Sequence, residues 1–138
     1  MSLATADKNK PYVCTVYFAT DKNLNFYFVS PPAALHCKNI AKNKYVSCAI
    51  YNSSQKVSSQ KEGLQFNGAA KVITKVSETK KALALWNKAN PGAEKYINWD
   101  NMVKKVITSK MYKIKPQVIK YFNEALYGDK ESEIFKIK

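Results

Sequence analysis

The clearest chemical feature of this chain is a serine that ends a strand and a histidine that follows shortly after it. The apolar stretch from Leu24 to Ser30 predicts a strand, and Pro31-Pro32 then leads into a short helix carrying His36, the only histidine. A helix N-terminus presents backbone N–H groups without partners, and the helix dipole adds positive potential there. The spacing therefore predicts an anion site, with a phosphate-bearing ligand as the first candidate.

Taken singly, each of these residues has a simpler interpretation. A histidine in the first turn of a helix is more often a surface residue than a phosphate ligand. A serine before a helix is more often a helix-entry residue than a ligand contact. The phosphate-site hypothesis therefore depends on the elements that surround Ser30 and His36.

Composition predicts one globular domain over residues 1–138. The hydrophobic fraction of 46% is ordinary for a folded protein. No apolar run is long enough to cross a bilayer, and the first residues are too polar for a secretory signal. We therefore expect no membrane partner, and a first strand that begins at once without a leading element.

The charge pattern favours anionic ligands but not nucleic acid. The net charge is +13, and all 23 basic residues are lysines. Positive charge attracts anions in general, whereas guanine recognition and bidentate phosphate contacts mostly use arginine. The lysines are also scattered along the chain, so we interpret most of them as a solvated surface.

The remaining chemistry-bearing residues exclude several classes of site. Cys14, Cys37 and Cys48 are odd in number and form no C-x-x-C pair, which argues against a disulfide framework or a zinc site and predicts a reduced, cytoplasmic protein. No G-x-S-x-G, Walker or G-x-G-x-x-G motif is present. Carboxylates are sparse in the first half, so paired acid–base catalysis is not supported.

Periodicity predicts an α+β chain built on a small antiparallel barrel. Three strands joined by short polar turns should form a meander, and the helix carrying His36 should begin near Pro31. Ser77 is the expected N-cap of a later helix that Asn90-Pro91-Gly92 ends. The other expected elements are strands at 12–19, 45–51, 63–73, 110–115, 118–123 and 133–137, and a short helix around residues 102–107.

Taken together, these segments resemble the flavin-binding split-barrel family typified by pyridoxamine 5′-phosphate oxidase, and in particular its small uncharacterised members. The resemblance covers most of the chain and is carried more by the order of elements than by any single motif. The segments that carry it are Leu3–Asp7, Pro11–Tyr17, Phe26–Ser30, Asn43–Ser47, Gly63–Gly68 and Tyr112–Phe122. It implies an antiparallel split β-barrel of six or more strands with short connecting helices.

The resemblance also implies a cofactor and its contacts. In such proteins a homodimer holds two flavin mononucleotides (FMN) at the subunit interface. Thr15, Val16 and Tyr17 match the strand along the flavin ring. Val29 and Ser30 match the strand end beside the flavin phosphate, His36 falls at a phosphate-binding lysine, and Phe122 matches an aromatic from the partner subunit. Lys38 and Lys71 are further candidates for phosphate contacts.

The chain departs from the family pattern in its phosphate contacts. Cys14 stands where the oxidases place an arginine, and Ala34 and Leu35 replace a hydroxyl residue and a second arginine. Each lost charge-assisted hydrogen bond costs roughly 1.5 to 3 kcal/mol, and every 1.4 kcal/mol is about tenfold in affinity. The resemblance therefore implies weak FMN binding and argues against oxidation of pyridoxamine phosphate itself.

Three functions remain open at the level of sequence. The preferred one is a flavin-dependent oxidoreductase with a small-molecule substrate. The second is a non-enzymatic module that binds or senses flavin or haem in the same cleft. The third and weakest is a basic barrel that binds single-stranded nucleic acid, with Tyr12, Tyr17, Phe26 and Phe28 as stacking surfaces.

Overall fold

The structure, a computed structural model, describes residues 1–137 and contains eight strands and four α-helices in an α+β arrangement. The strands are β1 (Ser2–Asp7), β2 (Lys10–Thr15), β3 (Phe18–Thr20), β4 (Phe26–Ser30), β5 (Tyr45–Tyr51), β6 (Glu62–Val72), β7 (Lys110–Asn123) and β8 (Ser132–Lys136). The helices are α1 (Leu35–Lys42), α2 (Val76–Ala89), α3 (Trp99–Val103) and α4 (Glu124–Tyr127).

All strands join one antiparallel sheet that does not close. Its order is β2-β1-β5-β6-β7-β4-β3, and β8 pairs with β7 beside this path. The long strands β6 and β7 form the centre, because they pair along almost their whole length. This is the predicted split-barrel fold class, with the sheet left open between β2 and β3.

The sheet separates two cores, and β4 contributes to both. Phe26 and Phe28 point into a barrel core that α1 covers, where Phe28 stacks on Tyr112 at a centroid distance of 5.0 Å. Tyr27 and Val29 point to the opposite face, where α2 and Trp86 form a second core. The alternation of β4 therefore fixes the end of the strand between two packed layers.

The predicted three-strand meander is wrong, because the chain between Thr15 and Phe18 leaves one edge of the sheet for the other. β2 pairs with β1, whereas β3 pairs with β4. The break falls at Val16, whose amide donates to the Met1 carbonyl at 3.0 Å and whose side chain enters the barrel core. The single strand predicted over residues 12–19 is thus two strands separated by a crossing.

The two strands predicted at 110–115 and 118–123 are one strand, β7. Pro116 suggested a break, but the ladder continues past it through a register shift opposite Asn67 and Gly68. Gly68 makes this possible, since a Cβ there would lie 2.4 Å from the Lys115 carbonyl oxygen. The prediction that a glycine in this strand permits close approach of another backbone is confirmed at Gly68.

The helix termini differ from expectation by a few residues. α1 begins at Leu35 rather than near Pro31, and its N-cap Ala34 makes no side-chain hydrogen bond. Ser77 lies inside α2, whose N-cap is Lys75, so the predicted serine cap is wrong. α3 ends at Val103, before Val106 and Ile107, because Lys105 takes a left-handed φ of 56°.

Candidate site at the end of strand β4

Ser30 and His36 form a buried hydrogen-bonded pair. The Ser30 hydroxyl and His36 Nε2 are 2.7 Å apart, linking the last residue of β4 to the first turn of α1. His36 is only 8% exposed, so its interpretation as a surface residue is wrong. Its ring also lies beside Phe28, with centroids 6.1 Å apart.

Burial determines the charge of this histidine. Desolvation lowers the pKa of His36 below its ordinary value, so the imidazole is neutral at pH 7. A neutral imidazole either donates from Nε2 to the Ser30 oxygen or accepts from its hydroxyl. If Nε2 donates, the Ser30 hydroxyl proton remains free for a ligand.

The crossing segment Thr15–Tyr17 meets the same end of β4. Phe18 pairs with Phe28 in the antiparallel β3–β4 ladder. Tyr17, just before Phe18, and Val29, just after Phe28, are therefore the next neighbours at this end of the ladder. Thr15 and Tyr17 are exposed and Val16 is buried, which confirms the predicted alternation of this segment. We call Thr15–Tyr17, Val29, Ser30 and His36 together the β4-end site.

The backbone of the crossing segment is held from two sides. The Val16 carbonyl accepts from the N-terminal amine of Met1 at 3.2 Å. The Tyr17 carbonyl accepts from the indole Nε1 of Trp86 at 3.1 Å. These bonds fix the main chain while the Tyr17 side chain remains 78% exposed, so the ring is available to a ligand or partner.

Two of the predicted contact residues are not part of the β4-end site as defined, and only Phe122 is distant from it. Lys38 is exposed on α1, whereas its neighbours Cys37 and Asn39 are buried. Phe122 is half-buried near the far end of β7, twelve residues from Lys110, the register partner of Ser30. At about 3.4 Å per residue this is roughly 40 Å along the strand. Phe122 therefore cannot reach Ser30 of its own chain.

Lys110 is the residue that sequence reasoning missed. It is exposed and lies directly opposite Ser30 in the β4–β7 ladder, so it brings a cation to the end of the strand. No local pattern could reveal it, because the pairing joins residues eighty positions apart. By contrast, Lys71 is exposed on β6 opposite Lys113, away from that end of β4.

The residues at this end of β4 fit a phosphate-bearing ligand. α1 has no acidic residue in its first turn and no side-chain cap, so its first N–H groups are not occupied by the chain's own side chains. Cys14 supplies no compensating charge: it is half-buried, and burial raises the pKa of its thiol. The site thus offers hydroxyl, amide and lysine donors but no arginine.

The structure also bears on nucleic-acid stacking, metal binding and membrane spanning. Phe26 and Phe28 are buried in the barrel core, so two of the four proposed base-stacking aromatics are wrong. Within residues 1–137, no group of three or more His, Cys, Asp or Glu side chains could hold a metal ion. Over the same range, no helix is long and apolar enough to span a membrane.

The topology and the β4-end site place this chain in the split-barrel class. A family model for pyridoxamine 5′-phosphate oxidase matches residues 1–123. The chain therefore belongs to the pyridoxamine 5′-phosphate oxidase family, as its resemblance implied. No curated protein sequence matches it.

Solved structures show the same fold at low sequence identity. A haem-binding protein from Mycobacterium smegmatis has a TM-score of 0.76 and 18% identity over 98% of this chain, which spans 51% of that protein. A FAD-binding protein from Mesorhizobium loti has a TM-score of 0.65 and 16% identity, covering 86% of this chain and 80% of its own. A Clostridium acetobutylicum protein related to general stress protein 26, of the pyridoxinephosphate oxidase family, has a TM-score of 0.67 and 14% identity, with 99% and 84% covered.

Proposed function

We propose that this chain binds FMN at the β4-end site as a homodimer and catalyses a flavin-dependent redox reaction on a small molecule. The observation that carries the proposal is the convergence of Thr15–Tyr17, Val29, Ser30 and His36 on one end of β4. Residues distant in sequence meet there in a chain of a family with flavin-binding structural neighbours.

The phosphate end would use Ser30 and the start of α1. His36 Nε2 donates to the Ser30 oxygen, so that the serine hydroxyl donates in turn to a phosphate oxygen. The uncapped α1 N-terminus and Lys110 add positive potential. Because Ala34, Leu35 and Cys14 contribute no charge, we expect an affinity well below that of arginine-rich family members.

The ring end would use the crossing segment. Its main chain is fixed by the bonds from Met1 and Trp86, which gives a rigid edge for a planar heterocycle. The exposed Tyr17 ring supplies aromatic surface beside that edge.

The homodimer is supported by apolar surface that one chain leaves uncovered. In β2 every residue except Cys14 is exposed, including Pro11, Tyr12 and Val13. The adjoining face of the sheet forms a shallow depression of about 470 Å³, lined by apolar side chains such as Val13, Phe66 and Val118 and by small ones such as Ala4. A second copy seated there would cover β2 and could bring its Phe122 to the flavin.

The residues of the β4-end site indicate which steps the cofactor would carry out and which the protein would support. When bound, FMN supplies hydride or electron transfer. The β4-end site contains no carboxylate, so its side chains bind and orient the cofactor rather than serve as an acid–base pair. The substrate would enter from the side that the protein leaves open to solvent.

A non-enzymatic flavin or haem module is the second candidate, favoured by the haem-binding protein of the same fold. For haem, His36 is the only histidine available, and its Nε2 is already bonded to Ser30 within the barrel. Iron ligation would require that pair to break. A Soret band in the purified protein would favour haem, and flavin binding without NAD(P)H oxidation would favour the carrier role.

The test is titration of FMN with flavin-free protein, followed by flavin fluorescence. We expect saturable quenching at one FMN per chain. Ser30→Ala should weaken binding about tenfold, because it removes one hydrogen bond to a charged group. Its control, Ser59→Ala, lies in the exposed loop between β5 and β6 and should bind like wild type.

A second pair of variants tests the ring end. Tyr17→Ala should weaken FMN binding, whereas Tyr96→Ala should not, although Tyr96 is similarly exposed at 71%. Equal effects of the two tyrosine variants, or no quenching at any protein concentration, would overturn the proposal.

A further inference from the structure

A second cleft opens on the α2 side of the sheet, apart from the β4-end site. This open cleft has a volume of about 780 Å³, within the range of small-molecule pockets. Its floor is formed by the buried residues Ile73 and Met111, and its wall by Trp99, Met102, Val103 and Ile107. None of the residues that define the β4-end site lines it, although two lining residues lie close to Ser30: Pro32 follows it by two positions, and Lys110 is its register partner.

The chain after α2 explains why this cleft is not filled by the protein. α3 has only five residues, and the left-handed Lys105 turns the backbone away before β7 begins. Trp99 and Met102 pack against the core that contains Ile73 and Met111, and the cleft opens beside this contact. The cleft is a surface groove open to solvent, and its concave, largely apolar lining is typical of small-molecule sites.

The charges around the cleft are of one sign. Lys105 and Lys110 line it together with several hydroxyl groups, and no carboxylate of the described residues does so. Lys80 adds further positive charge, since its ammonium lies 4.9 Å from the centre of the Trp99 ring. The nearby Glu78 is already paired with Lys113 at 3.2 Å. An apolar cleft with unpaired lysines suits a ligand with an apolar body and an anionic head.

We propose that this cleft binds a small amphipathic carboxylate. Its carboxylate lies at Lys105, and its hydrocarbon body lies between the Trp99–Met102 wall and the Ile73–Met111 floor. Met102 and Met111 are flexible side chains that adapt to the shape of an apolar ligand. The cleft is distinct from the flavin site, because Thr15–Tyr17, Val29, Ser30 and His36 do not line it and the proposed carboxylate contact, Lys105, is not part of that site. Lys110 is the one lysine that borders both.

The test uses octanoate as the probe, titrated calorimetrically into flavin-free protein. Neutral octan-1-ol and cationic octylammonium have the same hydrocarbon body and serve as comparison ligands. We expect one octanoate per chain, at least about fivefold weaker binding of octan-1-ol, and no measurable binding of octylammonium. Trp99 fluorescence should change on octanoate binding, and this change should be absent in Trp99→Phe.

The charge contact is tested with adjacent lysines. Lys105→Gln should bind octanoate about as weakly as octan-1-ol, whereas its control Lys104→Gln should behave like wild type, because Lys104 does not line the cleft. Equal effects of the two variants, or equal binding of all three ligands, would overturn the proposal.

Further measurements distinguish an amphipathic carboxylate from the other possible occupants of the cleft, FMN and a second chain. Saturating FMN should change octanoate affinity less than twofold, and strict competition would assign the cleft to the flavin and refute a separate site. If octanoate does not bind and Met102→Asn instead abolishes self-association, a second chain occupies the cleft and the proposal fails. Octanoate binding without FMN binding would leave this inference standing and remove the flavin proposal.

Discussion

The buried Ser30–His36 pair predicts how stability depends on pH. Desolvation lowers the pKa of His36 in the folded state, whereas the unfolded chain binds a proton near the ordinary value of 6.5. As pH falls below about 6.5, the unfolded state therefore gains protons that the native state does not, and stability is lost until the folded pKa is reached. Above pH 6.5 both states hold a neutral imidazole, and this contribution is constant.

The expected magnitude is set by linkage. One proton taken up by the unfolded state alone costs at most about 1.4 kcal/mol per pH unit. Between pH 7.5 and 5.5 we therefore expect the free energy of unfolding to fall by up to about 1.4 kcal/mol, or roughly 3 to 5 °C in Tm for a chain of this size. Asp7 and Asp21 do not contribute in this range, because hydrogen bonds hold the pKa values of both carboxyl groups below their ordinary value.

The assay is urea unfolding at half-unit pH intervals, with His36→Gln as the test variant. Gln places an amide nitrogen near the position of Nε2 but does not titrate, so its stability should be nearly flat over this range. Lys38→Gln changes an exposed residue of the same helix and should keep the wild-type slope. A flat wild-type profile, or an unchanged slope in His36→Gln, would refute a buried neutral histidine.

Two further predictions concern the framework that positions the site. Gly68→Ala should destabilise the protein by about 2 kcal/mol or more in urea unfolding, because the added Cβ meets the Lys115 backbone at 2.4 Å, whereas Gly63→Ala, with its nearest atom at 3.3 Å, should cost clearly less; equal losses would contradict the close approach. Asp21→Ala should cost about 2 to 3 kcal/mol at pH 7, because this carboxylate accepts from the Asn23 and Asn25 amides, the Asn25 side chain and the Tyr27 hydroxyl; a loss below 0.5 kcal/mol would show that water replaces those bonds.

The sequence correctly predicted the elements whose bounds are set by residues close together in the chain. β5 matches its predicted bounds, Tyr45–Tyr51, because Val46, Cys48 and Ile50 alternate along it. The end of β4 at Ser30 was also predicted, since Pro31 cannot continue a paired strand. Turn chemistry correctly indicated the β1–β2 hairpin.

What the sequence did not reveal depends on contacts between distant residues. The crossing at Val16 requires the bonds with Met1 and the pairing of β3 with β4. Continuation of β7 through Pro116 requires Gly68 on the neighbouring strand. The burial of His36 and the position of Lys110 opposite Ser30 likewise follow from packing and register, which no local window contains.

The central claim is that two copies of this chain hold flavin at the ends of their β4 strands, and native mass spectrometry of the protein mixed with excess FMN tests it most directly. We predict a dimer carrying two FMN molecules, which Ser30→Ala shifts toward a dimer without FMN and Ser59→Ala leaves unchanged. A monomer at all protein concentrations, or a dimer that never retains FMN, would contradict the claim.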